Sequence, residues 1–148
     1  MSQRIVVGVD GSETAVRAAR WAAWEARRRG AVLDLVAAWS VPMSSYGFGY
    51  AAVSDDLMKG QMKVAEDHLV AAVDAVRSEW AEADVETRTV EGQAAEVLID
   101  ESRDADLLVV GSRGLGGFRE LLLGSVGQQC AHHAACPVVI VRHERGVA

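Results

Sequence analysis

The chain has 148 residues, which suits a single domain with a substantial core. Half of it is hydrophobic and 24% is charged, the balance of an ordinary soluble globular protein. A net charge of −6 argues against a duplex nucleic-acid partner, which calls for a basic face, and no apolar run approaches the roughly 20 residues that span a bilayer.

The opening "MSQRIVVGVDGS" has neither a long apolar stretch nor a small-residue cleavage site, so the expected location is the cytoplasm. Cys130 and Cys136 are expected to be reduced there. "RIVVGVD", residues 4–10, is continuous and β-branched and reads as a strand buried on both faces. Ser12 can cap a helix over 13–29, whose alanines at 15, 18, 19, 22, 23 and 26 form a small-residue face able to lie close to a sheet. Trp21 and Trp24 are expected at its flanks. Arg27, Arg28 and Arg29 close that helix before Gly30, where cations suit the negative end of the helix dipole.

Residues 31–41 read as a second strand. Residues 42–56 mix glycine, serine and aromatics without a period and read as a loop, either a simple connection or a flap in which Tyr46, Phe48 or Tyr50 touches a ligand. A long amphipathic helix over 57–82 sets Met62, Ala65, Leu69, Val73, Val76 and Trp80 on one stripe. Residues 84–92 alternate like a half-exposed edge strand. A short helix over 93–103 turns Ala94, Val97 and Leu98 inward. Residues 105–112 form another buried strand, residues 125–135 a helix, and residues 136–142 a last strand that Pro137 opens.

The order is β-α-β-α-β-α-β-α-β, with crossovers long enough for helices. This predicts a single α/β domain over 1–148: an open, doubly wound, five-stranded parallel sheet with helices on both faces. Ligands of such sheets bind beyond the carboxyl ends of the strands, where the strand order reverses. Two strands end in turn chemistry, one in "GVDGSE" and the other in "GSRGLGG". If they are neighbours, Asp10 and the glycine loop share a crevice.

The glycine loop fits neither familiar phosphate motif. Gly111 and Gly116 have the Walker spacing, but Gly117 stands where lysine belongs. Gly114 and Gly116 open a dinucleotide motif whose third glycine is replaced by Arg119. What remains is Gly111-x2-Gly114-x9-Gly124-Ser125. Glycines let the backbone approach a ligand, and exposed N–H groups in such a turn make an anion-binding concavity. Gly124-Ser125 begins a helix, whose N–H groups and dipole favour an anion. Arg113 and Arg119 are available counter-charges. The opposing reading is a glycine-rich loop with a capping serine and no ligand. Cys130 and His133 could share a helix face, but they fall short of a tetrahedral metal set.

On "IVVGVDGSETA", "ADLLVVGSRGLGG" and "LLLGSVGQQCAHHAACPVVIV", the chain resembles the universal stress proteins, in their ATP-binding branch and close to the actinobacterial members. The resemblance covers nearly the whole chain, and the glycine pattern with its terminal Gly-Ser is that family's ATP-binding signature. It implies an adenine nucleotide alpha hydrolase-like sheet of order 3-2-1-4-5, with the reversal between the first and fourth strands. It implies that Gly8, Val9 and Asp10 line the nucleotide, with Asp10 near the ribose and phosphates or on a Mg2+ ion that accompanies ATP. Ala38 would offer its backbone to the adenine edge. Gly111, Ser112, Arg113, Gly114 and Gly117 would surround ribose and phosphates, and Gly124, Ser125 and Val126 would bind the phosphate tail. It also implies a homodimer through strand 137–142.

Efficient phosphoryl transfer needs charge neutralisation and a positioned nucleophile. The only lysines are Lys59 and Lys63, on the long helix, and Glu120 is the only acid or histidine between 111 and 125. The expected function is therefore a nucleotide-dependent regulator with little or no ATP hydrolysis, signalling through its loops to a protein partner. Three alternatives stand beside it: a slow ATPase or ATP-dependent enzyme, a receptor for another adenine nucleotide such as cAMP, and a structural protein with an empty crevice.

Overall fold

The computed structural model describes residues 2–41, 55–112 and 123–143. In chain order these form β1 (Arg4–Gly8), α1 (Glu13–Arg29), β2 (Val32–Trp39), α2 (Asp55–Glu79), β3 (Val85–Glu91), α3 (Ala94–Ser102), β4 (Leu107–Gly111), α4 (Ser125–His133) and β5 (Val138–Val141). The strands make one parallel sheet in the order β3-β2-β1-β4-β5. The order reverses at the β1–β4 pair, in the register Ile5–Leu107, Val6–Leu108 and Val7–Val109.

Continuous apolar runs become the central strands because both of their faces are covered. Ile5 and Val7 pack with Leu33, Leu35 and Val109 on the face covered by α1 and α2. Val6, Val36, Leu108 and Val110 pack on the opposite face with Val97 and Leu98 of α3 and Cys130 of α4. Each such side chain, fully buried, contributes about 1.5–3 kcal/mol. All six alanines expected on the α1 face are buried, and their small size lets the helix lie close to the strands.

Several local expectations shift. The buried alanine of α3 is Ala95, with Val97 and Leu98, while Ala94 is only half-buried. Trp21 packs against the core, but Trp24 is 41% exposed, and the Arg28 guanidinium lies 4.7 Å from its ring centroid. In α2, Ala65, Leu69, Ala72 and Val76 are the buried residues. Met62 and Val73 are half-buried, and Trp80 lies one residue past the helix end. α4 stops at His133 because Ala134 turns to extended backbone, φ −62° and ψ 145°.

At the amino end of the sheet lies an ion network that the sequence reading did not foresee. Asp34, in β2, is 1% exposed. Its Oδ2 accepts from Arg4 Nε of β1 at 3.0 Å and from Arg88 Nη2 of β3 at 2.8 Å. Both arginines also reach Glu101 of α3, with Arg4 Nη2 at 2.7 Å and Arg88 Nη1 at 3.1 Å from its carboxylate. Two cations and two anions thus tie three strands and a helix together without net charge, the condition under which buried charge is tolerated.

Candidate functional site

The carboxyl end of the sheet is organised by backbone. β1 ends at Gly8, and the chain turns through Val9, Asp10, Gly11 and Ser12 into α1. Val9 N–H donates to Val36 O at 2.9 Å, the last β1–β2 backbone bond among the described residues. Asp10 Oδ1 accepts from Ser12 N–H at 2.9 Å, an aspartate turn, and Ser12 Oγ caps α1 by accepting from Ala15 N–H at 3.2 Å. Gly11 takes φ +84°, a conformation that glycine adopts without steric cost.

β4 ends in the same place. A Cβ on Gly111 would sit 2.6 Å from Thr14 Oγ1 and 2.8 Å from the Thr14 carbonyl carbon. Only glycine lets the end of β4 approach the first turn of α1 so closely. Ser112, 4% exposed, continues the ladder through its N–H to Val141 O at 2.8 Å. Its carbonyl accepts from Gly124 N–H at 2.6 Å. That bond places the α4 N-terminus at the mouth of β4. Gly124 is the N-cap of α4, and no side chain among the described residues caps it. The first-turn N–H groups of a helix lack intrahelical acceptors, so Ser125 and Val126 start α4 with amides suited to an anion. Ser125 is exposed and is not itself the cap.

Ala38 is half-buried near the end of β2, opposite Val90 of β3. The carbonyl of Val36 points to β1, and strand alternation turns the Ala38 amide and carbonyl the same way. There they lie beyond the last β1–β2 hydrogen bond. Gly8 is closed on the α3 side, where an added Cβ would meet Leu98 Cδ1 at 2.6 Å. Of the residues expected at the site, Gly8, Val9, Asp10, Ala38, Gly111, Ser112, Gly124, Ser125 and Val126 therefore gather at one end of the sheet around the strand reversal. Arg113, Gly114 and Gly117 lie outside the described residues, as do Arg119, Glu120 and the aromatic positions Tyr46, Phe48 and Tyr50.

Residues 1–142 match the universal stress protein family. The chain belongs to that family. Universal stress protein Rv2624c of Mycobacterium tuberculosis is 36% identical over 93% of this chain and 47% of its own length. The chain spans about half the length of the curated relatives it matches. A universal stress protein solved in complex with cAMP is 33% identical, with a TM-score of 0.67 over 94% of this chain and 96% of that one. The universal stress protein of Archaeoglobus fulgidus in complex with dAMP is 28% identical, with a TM-score of 0.67 over 94% and 97%.

In this universal stress protein, the site has neighbours that the sequence reading missed. Thr14 abuts Gly111, and His68 of α2 abuts Gly11. Both contacts join segments far apart in sequence. The signal available beforehand was only the glycine of "VDGSE", which marks a turn but names no neighbour. The Cys130–His133 pairing does not take shape, since Cys130 is fully buried and His133 is exposed. Burial pushes the Cys130 thiol up to about 11, away from the thiolate that metals require. Among the described residues, no three of His, Cys, Asp and Glu come together as a metal-binding group.

Proposed function

We propose that this universal stress protein binds an adenine nucleotide, ATP foremost, in the crevice between the carboxyl ends of β1 and β4. In this reading it acts as a nucleotide-dependent regulator with little or no hydrolysis. The observation that carries it is the Ser112–Gly124 bond, which sets the start of α4 at the end of β4, the strand paired with the β1 that leads into the Asp10 turn. An anion at that helix start is favoured by the free amides and the dipole. The Gly8–Val9–Asp10 segment and the Ala38 backbone would then take the ribose and base, and Gly124, Ser125 and Val126 the phosphate tail. Gly111 and Ser112 would support the floor, and Arg113, Gly114 and Gly117 complete the reading from the sequence.

Asp10 suits a Mg2+ ion that arrives with ATP. Its Oδ1 is used in the turn, which leaves Oδ2 to meet an ion, and Mg2+ commonly takes one or two carboxylates together with substrate phosphates. Bound there, the ion would neutralise phosphate charge. A single such carboxylate supports binding better than fast turnover.

The proposal extends to assembly and location. β5 is an edge strand whose four residues are all half-buried, so strand 137–142 would offer the outward backbone of Val138 and Ile140 and apolar surface to a second copy, the Arg142 carbonyl being taken by Arg17 Nε at 3.1 Å. A cytoplasmic homodimer of this domain, read by a protein partner, is the form proposed. Among the described residues no helix is long and apolar enough to cross a membrane.

Denaturing the purified protein and identifying the released nucleotide by chromatography and mass tests the reading directly. ATP is the expected product. A second reading has a specific observation behind it: a relative at 33% identity was solved with cAMP. Competition between ATP and cAMP in a binding titration separates the two. Finding no nucleotide and no binding of either would overturn both.

A further inference from the structure

We infer that α2 takes part in the nucleotide site through His68, a positioning residue that sets the Asp10–Gly11–Ser12 turn. The inference rests on the nucleotide reading above and adds a residue and a helix to it.

The contact is specific in shape. A Cβ built on Gly11 would lie 2.5 Å from His68 Nε2, 2.7 Å from Cδ2 and 2.9 Å from Cε1. Those three atoms are consecutive and form the tip of the imidazole. The ring therefore enters the notch that the missing side chain of Gly11 leaves. Glycine is needed here twice over, for φ +84° and for the ring. The rest of the turn is already tied down, by Val9 to Val36, by Asp10 to Ser12 and by the Ser12 cap on α1. His68 closes the remaining side.

The neighbouring α2 contacts are of another kind. Ala65, Leu69, Ala72 and Val76 bury an apolar stripe against α1 and the sheet. His68 is half-buried beside that stripe and packs on the main chain of the turn that carries Asp10. A ligand that engages Val9 and Asp10 must fit a turn whose position the ring fixes. Displacement of α2 would loosen the turn, and occupancy of the turn would hold α2. The binding crevice and the helix are thus coupled through one contact.

A double-mutant cycle on ATP affinity tests this. Calorimetric titrations compare the wild type, Gly11→Ala, His68→Ala and the double variant. Each single change is expected to weaken ATP by about five- to tenfold, and the double variant to bind no worse than Gly11→Ala, because the methyl enters the emptied notch. The strain of alanine at positive φ is present with and without His68 and cancels in the cycle. In the wild type, the His68 ring resonances should also move when ATP saturates the protein, a readout that needs no variant.

Losses that multiply in the double variant, a His68→Ala affinity equal to wild type, or unmoved ring resonances on binding would each overturn the inference while leaving the nucleotide reading intact. A wild-type protein that binds none of ATP, AMP and cAMP overturns both together.

Discussion

The two ends of the sheet solve opposite problems with the same strands. At the amino end, side chains make the structure. Arg4, Asp34, Arg88 and Glu101 cross-link β1, β2, β3 and α3 with charge-assisted hydrogen bonds. At the carboxyl end, side chains are pared away. Gly8, Gly11, Gly111 and Gly124 bring main-chain groups together, and Asp10 is the only charged residue among the nine described site positions. The amino end is satisfied by its own residues, whereas the carboxyl end presents the α4 amides and the Ala38 backbone to whatever enters. The ion network sits at one pole and the proposed recognition site at the other, and variants at each pole should affect different measurements.

The largest expected effect is at the amino pole. Asp34→Ala leaves two arginines and one glutamate around a vacated, buried position. Removing one partner of a buried pair costs about 3–5 kcal/mol, and the part-exposed arginines place this case near the lower end. Equilibrium denaturation should show that loss, while ATP affinity measured on the remaining folded protein should stay within about twofold. A parallel fall in affinity would break the separation of the poles.

Gly111→Ala tests the carboxyl pole, where packing and binding meet. The added Cβ would lie under 3 Å from the Thr14 hydroxyl and the Thr14 main chain, and the main chain cannot rotate away. Forcing β4 and α1 apart should cost about 1–3 kcal/mol in stability and also weaken ATP, because Ser112 and Gly124 move with Gly111. A variant with unchanged affinity would show that the floor tolerates displacement.

The pH dependence sharpens the contrast. The hydrogen bond from Arg88, followed by that from Arg4, holds the Glu101 carboxyl below its ordinary value of 4.5, against burial, which raises it. A folded value below the unfolded one means the contribution is fully present above about 4.5 and fades as the pH falls through the lowered value. Acid unfolding of Glu101→Gln should therefore be less steep as the pH falls below about 4.5. An identical acid profile would mean Glu101 contributes nothing to the network.

The sequence made one pole legible and hid the other. The strands were readable because apolar β-branched runs cannot stay in water, and the alanine face of α1 because six small residues recur on one side. Turn chemistry at both strand ends left the β1–β4 neighbourhood conditional, and the strand order that makes it came from the family resemblance. Asp34 interrupts the apolar run "VLDLV", but its partners Arg4 and Arg88 stand 30 and 54 positions away in the chain, so no local pattern announces them. The choice between Ala94 and Ala95 failed for a simpler reason: nine residues of α3 constrain the helical phase weakly. His68 lies beside a clear hydrophobic stripe, and only the Gly11 notch gives its position meaning.

The smallest expected effect on stability separates the proposed recognition pole from the fold. Ser125 was expected to cap α4 or to donate to a phosphate, and these roles now separate. Gly124 is the N-cap, and Ser125 is the first helical residue, exposed, with no capping bond. Ser125→Ala should leave the melting temperature within about a degree, since surface changes away from caps fall within about 0.5 kcal/mol. Its effect on ATP should be that of one lost hydroxyl donor to a charged group, about 1.5–3 kcal/mol if the contact is direct and less if water bridges it. AMP, with two fewer phosphates, should lose less than ATP. Equal losses for both would move the Ser125 contact from the phosphate tail to the α-phosphate or ribose. A fall in melting temperature without any change in affinity would instead return Ser125 to a purely structural role at the helix start.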